Sequence, residues 1–196
     1  MSIQCAKESV MALLKKAPLS KGATLHPCAV RNEQVEHFAK EYGFQLPRSL
    51  KEFLLLFNGV PILPDGIFGI YTELEHLDLC KIYDFIPQWV LRKWVPISTD
   101  GCGSYFIMDA GYGLTEHNPI FFIDHSDFDI PTHIVASNMW TYVKFHAEEE
   151  IRHADEITED LYAEEPALWP YDKDYVLSID PDIEKITAYP FPWDEE

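Results

Sequence analysis

The stretch LPRSLKEFLLLFNG, residues 46–59, decides the first half of the fold. Pro47 stands where a first-turn proline is tolerated, Leu50, Phe53, Leu54 and Phe57 form one apolar stripe at helical spacing, and Asn58 with Gly59 closes it. The spacing predicts a helix. Upstream, Asn32 is the predicted N-cap of a second helix with Val35, Phe38, Ala39 and Tyr42 on one face, and Gly43 supplies the left-handed residue that ends it. A first helix is predicted from Ile3, Ala6, Val10, Leu13 and Leu14, starting at Ser2 and stopped by Pro18.

Downstream of Gly59 the punctuation changes. Prolines and glycines recur at short intervals from Pro61 to Pro131, which predicts short strands and turns. The strand candidates are residues 67–71, 94–98, 104–108 and 119–123, each apolar or aromatic. The last two are expected to pair as an antiparallel hairpin. Ser137 is the predicted N-cap of a further helix with Met139, Trp140, Val143, Ala147 and Ile151 on one face and a Glu148–Arg152 pair on the other. Beyond it, Tyr175, Leu177 and Ile179 alternate with polar or smaller residues and predict a strand ended by Pro181, and residues 190–193 predict an extended segment. Trp169, Tyr171, Tyr175, Phe191 and Trp193 would be wasteful in solvent, so residues 171–193 are expected to pack back on the domain.

Composition bounds the function. A chain of 196 residues, 47% apolar and 14% aromatic, supports one sizeable core, and wholesale disorder is excluded despite a net charge of −18. Residues 1–147 hold 16 acidic and 12 basic side chains; residues 148–196 hold 17 and 3, so the tail carries the acidity. Such a surface repels nucleic-acid phosphates and anionic lipid and attracts a basic protein. No apolar run is long enough to span a bilayer, and Lys7 and Glu8 fall where a signal peptide needs its apolar region, so a cytoplasmic location is expected. Cys5, Cys28, Cys80 and Cys102 form no Cys-x-x-Cys pair and are expected to be buried thiols.

Catalytic patterns are thin. Asp100-Gly101-Cys102-Gly103-Ser104 has Phe106 where a dinucleotide fingerprint needs glycine, and it leads into a strand rather than a helix. Cys102 as nucleophile would need a base such as His117. Asp124, Asp127 and Asp129 could offer oxygen ligands, but the calcium-loop glycine and glutamate positions hold Asp129 and Val135. The histidines show no zinc-hydrolase spacing. Neither a metal nor a cofactor is expected.

The order LPRSLKEFLLLFNG, IFGIY (67–71) and WVPISTDGCGSYF (94–106) resembles the SUKH superfamily over about residues 28–153. The resemblance implies an α+β domain, a mostly antiparallel β-sheet flanked by α-helices, taken to occupy 1–153; the acidic C-terminal extension at 154–196, read from the charge, lies outside the resemblance. It implies a non-enzymatic protein, either an immunity protein that neutralises a cognate toxin, often a nuclease, or an intracellular regulatory module such as those of fungal cell-wall synthesis. Family-motif positions carried over are Trp94, Pro96, Asp100, Gly101, Gly103 and Ser104, with structural roles in a strand and its turn. The charge adds a steering surface for a basic toxin, placed at Glu148, Glu149, Glu150, Asp155, Glu156, Glu159 and Asp160. A hydrolase built on Cys102 or the Asp124–Asp129 loop is the rival reading from another class.

Overall fold

Strands β1 (Trp94–Thr99), β2 (Tyr105–Asp109), β3 (Ile120–Ile123) and β4 (His133–Ala136) form one antiparallel sheet in the order β1-β2-β3-β4. The computed structural model describes residues 3–14, 30–61, 66–112, 118–156 and 168–194. β2 and β3 are the predicted hairpin, with Phe106 opposite Phe122 and Ile107 opposite Phe121. Side chains alternate across a strand, so Phe106 and Phe122 share one face while Ile107 and Phe121 point to the other. Pro96 has no N–H to give a ladder; it lies on the outermost strand at a bulge between Pro96 and Ser98, where that loss is tolerated.

Helices α1 (Ile3–Leu13), α2 (Asn32–Glu41), α3 (Arg48–Leu56) and α6 (Met139–Glu156) come from the predicted apolar stripes, and the short α4 (Leu79–Phe85) and α5 (Gln88–Arg92) lie between α3 and β1. α1 and α3 pack on α6. Phe53 of α3 meets Trp140 of α6 edge-on at 5.9 Å, and the Lys7 ammonium of α1 lies 5.2 Å over the same indole. α6 supports the face carrying Phe106, whose ring is 5.5 Å from Tyr142. On the other face Tyr105 meets Trp89 of α5 at 5.1 Å. The four-stranded sheet is thus held between α6 and α5, an α+β architecture.

Several predicted details change. The cap of α2 is Arg31, whose N–H is taken by the Gln34 side chain at 3.1 Å, and Asn32 sits inside the first turn. Asn138, one residue past Ser137, caps α6 by accepting from the Trp140 and Thr141 amides at 2.9 and 3.2 Å. Residues 67–71 make isolated bridges, Ile67 with Ser98 among them, instead of a full strand. Lys144 pairs with Glu148 at 2.8 Å and Arg152 with Glu149. The strand predicted at 175–179 is helix α7 (Lys173–Ile179): Asp172 accepts from the Tyr175 amide at 2.9 Å, and Val176, Ile179 and Ile183 are buried at helical spacing. Pro181 therefore opens a 3-10 turn, and Pro192–Asp194 form another where an extended segment was expected. Cys102 is exposed, because the Gly101–Gly103 turn stands out in solvent, and Cys80 of α4 is only half-buried. Ser2, Pro18, Cys28 and His117 lie outside the described residues.

Candidate functional site

The motif turn is built from local hydrogen bonds. Asp100 Oδ1 accepts from the Cys102 amide at 2.8 Å and the Ser104 amide at 3.0 Å, while the Asp100 amide donates to the Ser104 carbonyl at 3.2 Å. One carboxylate oxygen thus satisfies two amides that the tight turn leaves without strand partners. Gly101 and Gly103 hold φ of +77° and +104°, which a Cβ resists. Ser104 is buried, and its Oγ accepts from the His125 amide at 3.1 Å. This bond seats the turn against the loop 124–130. Trp94, at the other end of β1, is covered by the Arg92 guanidinium 4.7 Å from its ring and takes the Tyr83 hydroxyl on its carbonyl at 3.0 Å. Trp94, Asp100 and Ser104 therefore fix the two ends of one edge strand.

A second joint escaped the sequence reading. Asn58, buried with φ +42°, gives its Nδ2 to the Ile70 carbonyl at 3.0 Å and receives the Ile70 amide on Oδ1 at 2.8 Å. The side chain imitates a strand partner and clasps the 66–70 segment to the end of α3. Gly69 makes room for it: a Cβ there would stand 2.6 Å from the Asn58 carbonyl carbon. The Asn-Gly signal was visible as a helix stop; its partner 12 residues away was not.

The acidic positions divide. Glu148 accepts from Lys144 at 2.8 Å and from the Tyr175 hydroxyl at 3.0 Å; Glu149 pairs with Arg152 and accepts the Trp169 amide at 3.3 Å. Both carry internal cross-links while their side chains stay 30% and 12% exposed. Glu150, Asp155 and Glu156 belong to α6, and Glu159 and Asp160 lie outside the described residues.

Residues 168–194 straddle the β4 edge. On one face the Trp169 indole stacks on Phe106 and Phe145 at 5.6 and 5.8 Å and gives its Nε1–H to the Val135 carbonyl at 2.9 Å. On the opposite face Tyr189 meets Phe121 edge-on at 4.6 Å. Between them the Ile134 amide donates to the Pro190 carbonyl at 3.0 Å. The Asp180 carboxylate accepts from the Ser137 amide and hydroxyl at 2.7 and 2.6 Å, and burial pushes its pKa up against those bonds. Burial also holds His133 and His146 near a pKa of about 4, so both are neutral beside this contact at pH 7.

The residues proposed for hydrolysis do different work. Asp124 Oδ1 accepts from the Ser126 amide at 2.8 Å and Asp127 Oδ1 from the Asp129 amide at 2.9 Å, both local turn bonds. Hydrogen bonds from Ser126 hold the Asp124 carboxyl below its ordinary pKa. Asp129 pairs with Arg92 at 2.7 Å. Among the described residues no three His, Cys, Asp or Glu side chains group to hold a metal ion, and no helix is long and apolar enough to cross a membrane. A family model described as the SMI1 / KNR4 family (SUKH-1) matches residues 29–144, more than half of the chain. No curated protein matches it.

Proposed function

Because the chain belongs to the SMI1 / KNR4 family (SUKH-1), we propose that it is a non-enzymatic immunity-type protein, which binds and neutralises a basic, nuclease-like toxin domain in the cytoplasm. The family match carries this reading, and the net charge of −18 supports it. A nuclease presents cations to phosphates; an acidic protein is steered to that surface and competes with nucleic acid for it. The motif residues Trp94, Pro96, Asp100, Gly101, Gly103 and Ser104 serve this function indirectly, by holding one edge strand and its turn in place.

The test starts from the gene's neighbourhood. The basic C-terminal domain of a large secreted protein encoded directly upstream is expressed with and without this chain. Restored growth and a one-to-one complex are expected. Restored growth without a complex, or a complex only with an intracellular regulatory protein, would replace this reading with the regulatory-module alternative.

A further inference from the structure

Resting on the reading that the chain binds a basic polypeptide, we propose that the loop 71–76, together with Glu41 at the end of α2, is the face on which that partner docks. Tyr71 and Leu74 supply the apolar contact. Glu41, Glu73 and Glu75 receive the partner's arginines and lysines.

The loop is open at its tip and fixed at its base. Tyr71 is 37% and Leu74 44% exposed, and Glu73, Glu75 and His76 also face solvent. At the neck the Gly69 amide donates to the Leu77 carbonyl and the Leu79 amide to the Gly69 carbonyl, both at 2.9 Å. Ile70 is clasped by Asn58, and the Tyr71 amide donates to Asp78 Oδ1 at 3.1 Å. Compact surface loops whose ends are held together in this way are suited to recognition, because a rigid scaffold positions their side chains.

Tyr71 shows how firmly the tip is set. Its φ of +53° is a left-handed conformation that a bulky residue adopts only where its neighbours impose it. Its hydroxyl donates to Glu41 Oε2 at 2.8 Å, and its ring lies 6.3 Å from that of His37 and, edge-on, 6.2 Å from that of Phe38. A side chain held before the partner arrives loses little entropy on binding, which suits it to anchor an interface.

Charge selects the occupant. Residues 71–85 carry Glu73, Glu75, Asp78 and Asp84 against Lys81, and Glu41 with Lys40 beside it leaves that acidic excess unchanged. The Glu41 side chain is 49% exposed. Apolar contact flanked by carboxylates complements a cationic face, whose lysines and arginines bring apolar stems as well as charge. Phe85, Leu91 and Ile130 are more exposed but are set among both signs: Arg92 and Lys93 follow Leu91, and Arg92 pairs with Asp129 beside Ile130. That face offers a basic partner no net attraction.

The test uses the full chain and the basic C-terminal domain of the secreted protein encoded upstream. A loop variant, Glu73→Lys with Leu74→Ser and Glu75→Lys, is titrated beside the wild type and a control, Leu91→Ser with Ile130→Ser. The loop variant should bind about 10²-fold more weakly, and the control within about threefold of the wild type. Hydrogen exchange of the wild-type complex should show amides 72–76 slowed by about tenfold or more; it decides alone if the loop variant does not fold. Wild-type affinity in the loop variant, equal weakening of both variants, or unprotected amides at 72–76 overturns this docking face and leaves the toxin-binding reading standing. A wild type that binds no such domain overturns that reading, and this face with it.

Discussion

Replacing Gly69 with alanine tests the joint that sets the 66–70 segment against α3. The added Cβ would lie 2.6 Å from both the Asn58 carbonyl carbon and the Gly59 amide nitrogen and 2.8 Å from Asn58 Oδ1. Backbone atoms cannot swing aside, so the two chains must separate by several tenths of an ångström. Overpacking of this kind costs about 1–3 kcal/mol. The same shift lengthens both buried Asn58–Ile70 hydrogen bonds, each worth about 1 kcal/mol net, for a total near 4 kcal/mol. At about 2–4 °C per kcal/mol for a chain of this size, the melting temperature should fall by about 10 °C. Gly43→Ala is the control: it has φ +74° but nothing within 4 Å, so it should cost only the roughly 1 kcal/mol of the left-handed backbone. Urea unfolding of both variants, with Asn58→Ala and the double change, reads the energies. The double variant should cost clearly less than the sum, since both changes break one clasp. Equal effects of Gly69→Ala and Gly43→Ala would refute the close approach.

Other outcomes follow from other parts of the molecule. Burial holds His133 and His146 at a pKa of about 4 against an ordinary 6.5. Only the unfolded chain gains protons as pH drops through 6.5, so stability should fall by about 2 kcal/mol per histidine between pH 7 and 5. Asp180, with its pKa raised by burial, acts in the opposite sense, gaining stability as pH falls through its folded value. His146→Phe should remove a good part of the slope in urea titrations, and an unchanged slope would contradict the assignment. Asp100→Ala deprives two turn amides of their acceptor and should cost about 1–2 kcal/mol by thermal melting, with no loss expected only if water replaces the carboxylate. Cys102→Ser, on an exposed turn, should change stability by less than about 0.5 kcal/mol and leave the proposed toxin neutralisation intact; lost protection would revive the cysteine-dependent reading.

What the sequence made legible was what local chemistry determines. The apolar stripes of α2, α3 and α6 and the β2–β3 hairpin follow from spacing alone, and the Asp100 turn follows from hydrogen bonds spanning two to four residues. Strand β4 was missed because all its residues are buried and it shows no alternation. Helices α4 and α5, at seven and five residues, are too short to show a period. At α7 the alternation of Tyr175, Leu177 and Ile179 mimicked a strand, although Asp172 was available as a cap and Val176, Ile179 and Ile183 follow a helical interval. The site was hidden for a different reason. Ser137 and Asp180 are 43 residues apart, Val135 and Trp169 34, and no local pattern announces such pairs.

Two roles can be told apart by experiment in the acidic stretch that the charge pattern merged. Steering acts through the summed field and needs charge within about a Debye length, roughly 8 Å at physiological salt, of the approaching partner; anchoring needs a defined hydrogen bond. Glu148 and Glu149 have anchoring partners in Tyr175 and Trp169, so Glu148→Gln with Glu149→Gln should loosen residues 168–194 while changing the association rate less than twofold. Neutralising Glu150, Asp155, Glu156, Glu159 and Asp160 together removes the other five charges of the proposed steering surface. Stopped-flow association with the proposed basic toxin domain should then slow by about tenfold at low salt, and its salt dependence should flatten. If the two sets of changes slowed association equally, the distinction between anchoring and steering acids would be lost, and the whole acidic stretch would have to act as one undifferentiated field.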